Sequence, residues 1–322
     1  MQENDTTGRG PMLAAAAGSA ALVQPSGGRA KGALVWLDMD QQALDDAYDQ
    51  QVYAPNRDQV GKRRIANSEQ ARAVIGAPQC VSYGPTEIEK ADIYCTRVPD
   101  APVNVFIHGG AWRANRAADY AFLAEPFVNA GAHYVILDFI NVDEAGGSLF
   151  PMVEQVRRAV GWVYRNAKSF GGDPERIYLS SHSSGSHLCG CVLTHDWRKD
   201  GLPIDIVKGA VLGSGMYDLK PVRLSKRSKY VNFTDEMEQA LSAQRHLDKL
   251  HAPVVVAYGT YETPEFQRQS RDFVAAVKAA GKPAELLVGE GYNHFEMLET
   301  LANPYGLLGR AAFAQMGLKA GS

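Results

Sequence analysis

The chain has 322 residues, 45% apolar and 21% charged, a balance that fits a globular protein and excludes collagen-like, coiled-coil and wholly disordered architectures. Thirty-three basic residues against 36 acidic ones give a net charge of −3, so no positive field exists to gather phosphates and nucleic acid is not an expected partner. A chain this long buries a large core without staples and can form one α/β unit.

The first segment is unlike the rest. Residues 13–23 (LAAAAGSAALV) form an apolar run of signal-peptide length, too short to span a bilayer. The stretch before it carries Glu3 and Asp5 against Arg9, whereas an export signal wants a positive flank there. Residues 1–31 are therefore expected to be a disordered or signal-like segment. The expected location is cytoplasmic, or periplasmic or secreted if residues 1–30 act as an export signal. No transmembrane segment is expected.

Residues 32–322 read as one domain, with 32–78 as a helical N-terminal cap region. Asp40 opens an amphipathic stretch that Pro55 stops, and a second helix over 61–75 ends at Gly76. Two strands follow, at 80–83 and 93–98. From residue 102 short apolar runs (103–107, 134–139, 177–181, 210–212, 254–258 and 286–288) alternate with helix-length stretches (120–130, 151–170, 185–196, 235–250, 264–280 and 295–316). Such runs, bounded by glycine and crossed by helices, predict an α/β fold with a mostly parallel sheet covered on both faces. Cys80, Cys95, Cys189 and Cys191 suit neither a zinc site nor an easy disulfide. They are expected to be buried or half-buried free thiols, and neither metal nor other cofactor is expected.

In an open parallel sheet, ligands sit outside the carboxyl ends of the strands. Three stretches at strand ends carry chemistry here, the last of them spanning two strands. Ser181-His182-Ser183-Ser184-Gly185 follows a strand and opens a helix, the setting of a nucleophile elbow. Its centre favours Ser183 as nucleophile over Ser181, Ser184 and Ser186. His108-Gly109-Gly110-Ala111-Trp112 follows another strand, and its paired glycines leave backbone N–H groups open to a developing oxyanion. The expected hole is Gly109, Gly110 and Ser184, with His108 as a residue that fixes the loop. Glu262 and His294 each lie just after a strand, so the chain order runs Ser183, Glu262, His294, that of a Ser–acid–His triad.

At HGGAW (108–112), SHSSGSHL (181–188), SGMYDL (214–219), ETPEFQRQSRDF (262–273) and YNHFEMLETL (292–301) the chain resembles the α/β-hydrolase superfamily in its hormone-sensitive-lipase-like branch. Within that branch it is similar to the kynurenine formamidase (arylformamidase) family. The resemblance covers roughly residues 80–315. It implies an α/β-hydrolase fold, Ser183, Glu262 and His294 as the triad, and hydrolysis of an ester or an aryl formamide-type amide through an acyl-enzyme. Two departures stand out. The family usually has glycine at the position of Ser181, and aspartate at that of Glu262, with Asp272 as a nearby alternative on a predicted helix. The expected partner is a small ester or amide substrate with an aromatic portion stacking on Trp112, Tyr217 or Tyr292. A homodimer is one assembly the sequence allows. A carboxylesterase or carbamate hydrolase for short-acyl aromatic esters is the alternative, and a non-catalytic binding protein on the same scaffold is a third reading.

Overall fold

In the computed structural model, which describes Met1 and residues 30–320, the chain opens on a small hairpin of β1 (Leu34–Trp36) and β2 (Met39–Asp40). The expectation for residues 1–31 falls almost wholly outside the described residues. The hairpin departs from the helical cap expected there. A two-residue turn at Leu37-Asp38, with Leu37 at φ +49°, closes it, and only then does Asp40 cap α1 (Gln41–Ala47) through its side chain. A 3-10 turn (Gln50–Tyr53) follows, and then α2 (Arg57–Ile75). Helix α2 starts one turn before Gly61, which sits inside it on an open face, where an added methyl group would meet nothing within 4 Å.

The other strands form one sheet: β3 (Gln79–Ser82), β4 (Lys90–Tyr94), β5 (Ala101–Ile107), β6 (His133–Leu137), β7 (Gly172–His182), β8 (Val207–Gly213), β9 (Val254–Gly259) and β10 (Ala284–Gly289). Their order is β10-β9-β8-β7-β5-β6-β4-β3. The six strands from β10 to β6 are parallel, and β4 and β3 add antiparallel at one edge. This is the α/β-hydrolase fold. Side chains alternate across the sheet as strand geometry requires. Val103, Val105 and Ile107 of β5 enter one core layer, whereas Phe106 enters the other.

The crossing helices are α3 (Ala124–Asn129), α4 (Phe150–Asn166), α5 (Ser184–Leu193), α6 (Leu219–Leu224), α7 (Asp235–Leu241), α8 (Pro264–Ala279), α9 (His294–Glu299) and α10 (Leu307–Met316). Helix α4 buries Met152, Val153, Val156, Val160 and Val163 at helical spacing against the first layer, each contributing roughly 2 kcal/mol of apolar burial. All ten residues of α5 are buried, which its small Ser, Gly and Cys side chains permit.

Two expected helices are broken. The stretch 235–250 is helical only through Leu241, because Ser242 Oγ donates back to the Glu238 carbonyl and accepts the Leu219 amide, after which two 3-10 turns follow. The stretch 295–316 splits at Asn303-Pro304, since proline has no N–H to continue a helical ladder. Cys80 is exposed, against the expectation of burial, because it lies on the edge strand β3, while Cys189 and Cys191 are buried. Among the described residues no helix is long and apolar enough to cross a membrane.

Candidate active site

Strand β5 pairs with β6 on one side and β7 on the other, so the chain reverses direction across the sheet at β5. The crevice outside the strand ends opens at such a point. The loop after β5 and the turn after β7 both lie there.

Ser183 stands between β7 and α5 at φ +58°, ψ −128°. A side chain in that region costs about 1–3 kcal/mol of backbone strain. Packing holds it. The Ser183 amide donates to the Gly213 carbonyl at 2.9 Å and so extends the β7–β8 ladder by one residue. A methyl group on Gly185 would lie 2.1 Å from the Ile107 carbonyl oxygen, so the elbow and the end of β5 touch backbone to backbone only because that residue is glycine. Ser181, where the resemblance leads one to expect glycine, fits without crowding. Its hydroxyl pairs with that of Ser186 at 3.0 Å, and Ser186 donates to the Gly213 carbonyl at 2.8 Å.

The ends of β7, β9 and β10 converge on one relay. His294 Nε2 lies 2.8 Å from Ser183 Oγ, and His294 Nδ1 lies 2.9 Å from Glu262 Oε2. Glu262 is 2% exposed and accepts three further hydrogen bonds, from Ser214 Oγ (2.5 Å) and the Gly259 amide (2.8 Å) on Oε1, and from Gln50 Nε2 (3.3 Å) on Oε2. Asp272 lies in α8 instead and accepts from Arg268. Sequence reasoning missed Ser214 and Gln50. The first follows β8 directly and opens SGMYDL, a motif in which the sequence assigned its serine no role. The second belongs to the cap, where only a polar pattern was visible.

The loop after β5 runs through a series of positive φ values, +127° at Gly110, +54° at Ala111 and +65° at Trp112. A methyl group on Gly109 would stand 2.7 Å from the His182 carbonyl oxygen and 2.8 Å from Ser183 Cβ, which measures how closely loop and elbow approach. The amides of Gly109 and Gly110 donate to no protein acceptor among the described residues, and that of Ser184 is a free donor in the first turn of α5. Asn115 Nδ2 donates to the Gly109 carbonyl (3.0 Å) and to Tyr120 Oη (2.8 Å), which fixes the loop from behind. The Ser184 hydroxyl accepts the Trp112 amide at 3.2 Å.

The relay opens into a cavity of about 540 Å³ lined by Gly109, Gly110, His182, Ser183 and His294 at its base and by Tyr48, Gln50, Arg64, Tyr120, Phe122, Arg227, Tyr230 and Phe295 on its walls. None of the three aromatics expected to stack on substrate lines it. Trp112 is buried with its indole N–H on His187 Nδ1 (3.2 Å), and Tyr217 is buried and stacked on Phe273 with ring centroids 4.0 Å apart. Tyr292, 40% exposed, faces a different hollow with Glu296 and Asn303. Aromatic type near a motif does not say which face of the backbone a ring leaves from. The aromatic wall comes instead from Tyr48 on the cap, Tyr230 outside every motif, and Phe295 beside His294 within the last one.

Three buried histidines support the site without belonging to the relay. His182 Nε2 donates to the His294 carbonyl at 2.8 Å, and burial, followed by the neighbouring His294, pushes its pKa well below the ordinary value. His108 stacks between Phe139 and Tyr120, and burial lowers its pKa to about 4. His187, held between Trp112 and the Leu241 carbonyl, is also lowered by burial to about 4. All three are neutral in the folded chain at pH 7. Unfolding lets each take a proton near 6.5. Their contribution is therefore complete above pH 6.5 and is lost as pH falls towards 4, up to about 3 kcal/mol apiece for His108 and His187. The melting temperature is expected to drop between pH 7 and 4.5, and to drop less in His187→Gln, whose amide can replace both hydrogen bonds. Equal slopes for the two proteins would show that His187 takes no part.

Residues 91–305 match the BD-FAE family model. The chain is 30% identical over 295 residues to a kynurenine formamidase of Danio rerio, an alignment covering 88% of this chain and 98% of that relative. It is 25% identical to an isoprenylcysteine alpha-carbonyl methylesterase of Arabidopsis thaliana, over 67% of this chain and 56% of that one. Among solved structures, a candidate thioesterase from Silicibacter sp. tm1040 superposes with a TM-score of 0.71 at 25% identity, covering 83% of this chain and 97% of that one.

Proposed function

Since the chain belongs to the BD-FAE family of α/β-hydrolases and is a hydrolase of ester or amide bonds, we propose that it cleaves aryl formamides, with Ser183 as nucleophile, His294 as base and Glu262 as the acid that orients it. The observation that carries the reading is the unbroken hydrogen-bonded path from Ser183 Oγ through His294 to Glu262, beside free amides.

Glu262 accepts a hydrogen bond from the Nδ1–H of His294, which leaves Nε2 as the acceptor facing Ser183. Nε2 takes the hydroxyl proton as Oγ bonds to the substrate carbonyl carbon. The oxygen that becomes negative turns towards the amides of Gly109, Gly110 and Ser184, where each donor contributes about 3 kcal/mol to the transition state. The imidazolium then hands its proton to the leaving nitrogen or oxygen, and the scissile bond breaks. Water, deprotonated by His294, attacks the acyl-enzyme; the acid leaves and Ser183 regains its proton. The aryl portion rests among Tyr48, Tyr230 and Phe295, in a cavity large enough for one aromatic ring with a side chain.

The formamide reading is preferred to a carboxylesterase one because the likeness to the formamidase runs nearly the whole length of both chains, whereas that to the methylesterase covers little more than half of the relative. Comparing kcat/KM on an aryl formamide with that on the matched aryl acetate, carbamate and formate ester tests it. The formamide is expected to lead once intrinsic reactivity is divided out. Turnover of the acetate alone would replace the reading with a carboxylesterase.

A further inference from the structure

We propose that Asn115 is a positioning residue for the oxyanion hole, which by donating to the Gly109 carbonyl turns the Gly110 N–H towards the substrate oxygen that becomes negative. The role rests on the hydrolase reading and adds to it a residue outside every motif.

Asn115 lies in the loop after β5 with its backbone at φ +81°. Few residues other than glycine hold such a backbone, and asparagine is among those that tolerate it. An unusual backbone beside an active site is where a positioning role is to be sought. The turn brings the Asn115 side chain back onto its own loop, where Nδ2 donates to the Gly109 carbonyl at 3.0 Å and to Tyr120 Oη at 2.8 Å. Arg64 of α2 decides which end of the amide faces that carbonyl. Its Nη2 donates to Asn115 Oδ1 at 3.2 Å, and because a guanidinium only donates, the amide oxygen must face it and the NH2 group must face the loop. Arg64 is held in turn by Tyr120, whose Oη accepts from Nη1 at 3.3 Å and whose ring centroid lies 5.0 Å from the guanidinium carbon.

Peptide planarity carries this contact into the site. The Gly109–Gly110 peptide is trans, so the Gly109 C=O and the Gly110 N–H share a plane and point in opposite directions. Holding the one aims the other. A peptide between two glycines turns easily unless something holds it, and Gly110 is at φ +127°. His108 supplies a second hold. Its Nδ1 lies 2.8 Å from the same carbonyl oxygen while its Nε2 has no partner, so the ring proton belongs on Nδ1. Two donors on one carbonyl also polarise the peptide and strengthen its N–H as a donor. That N–H meets no protein acceptor among the described residues, and Gly110 lines the cavity over Ser183. The loop closes tightly around the contact, since a methyl group on Gly110 would stand 2.7 Å from Asn115 Nδ2 and 2.2 Å from the Ala114 carbonyl oxygen.

Two variants of the full chain test the role. Asn115→Gly suits a positive φ and adds no charge, so it removes the side-chain donor alone. Asn115→Asp keeps the shape and the Arg64 contact but, as a carboxylate, cannot donate. In both, kcat on an aryl formamide or on 4-nitrophenyl acetate, whichever the wild type turns over faster, is expected to fall about 10- to 100-fold, with KM within about threefold. Inhibition by an aryl trifluoromethyl ketone, which Ser183 converts to a tetrahedral oxyanion, is expected to weaken by the same factor, while inhibition by the amine or phenol product stays at the wild-type level. Wild-type kcat in a folded Asn115→Asp overturns the proposal, because the Arg64 contact alone would then hold the loop. A loss that falls equally on product affinity overturns it too, as the mark of a distorted cavity. Should Asn115→Gly fail to fold by circular dichroism, Asn115→Asp decides; failure of both to fold makes Asn115 a structural residue and ends the proposal. Each of these outcomes leaves the hydrolase standing. A folded wild type that hydrolyses neither substrate and resists a fluorophosphonate sinks both readings.

Discussion

Ser183→Ala is expected to lose turnover by on the order of a million-fold in kcat and all labelling by a fluorophosphonate, while remaining folded. The other serines of the run have different work. Ser181 and Ser186 bond to each other, and Ser184 Oγ receives the Trp112 amide, so only the Ser183 hydroxyl reaches His294. Ser184→Ala is accordingly expected to keep labelling, since the Ser184 amide survives the change. Circular dichroism and thermal melts on both variants separate lost chemistry from lost fold. Abolished labelling in Ser184→Ala but not in Ser183→Ala would move the nucleophile by one residue.

The chemistry of this site was legible where local geometry restricts residue type. An elbow tolerates only small neighbours, and a loop pressed against a strand end needs glycine at its contact points. SHSSG and HGG therefore stand out of the sequence, and the strand–helix alternation tells which end of the sheet they occupy. Long-range contacts leave no such local mark. Gln50 meets Glu262 from a segment 212 residues away, and nothing in the pattern of residues 40–54 says that one of its glutamines is buried against a carboxylate. The hairpin at 34–40 was hidden for a similar reason. Its Leu34, Val35 and Leu37 stay exposed, so no burial periodicity announces a strand. The same limit explains the aromatics. Trp112 and Tyr217 belong to motifs in the sequence, but their rings pack into the core, as buried aromatics usually do, while Tyr48 and Tyr230 reach the cavity from outside any motif.

Glu262→Gln is expected to lower kcat by about four orders of magnitude with little change in stability. The size of the effect follows from the hydrogen-bond inventory. All four neighbours of the carboxylate are donors: Ser214 and the Gly259 amide on one oxygen, His294 Nδ1 and Gln50 on the other. A carboxylate accepts at both ends; a carboxamide accepts at one only. Placing the amide oxygen towards Ser214 and Gly259 turns the NH2 group on His294, which must then accept at Nδ1 and carry its proton on Nε2, the wrong tautomer for receiving the Ser183 proton. Flipping the amide sets NH2 against the Gly259 amide instead. Glu262→Asp keeps the charge and both acceptors but falls short by one methylene, and the Gly259 contact that anchors Glu262 at the end of β9 cannot be kept together with the one to His294. Its activity is expected between those of wild type and Glu262→Gln. The acid is longer than aspartate because its carboxylate must reach back to the strand end and across to the imidazole at once. If Glu262→Gln retained activity within tenfold of wild type, another carboxylate would have to orient His294. The buried alternative nearest in sequence, Glu265, is held by Arg268 at 2.7 Å and by Tyr48 at 2.9 Å, and would have to leave both.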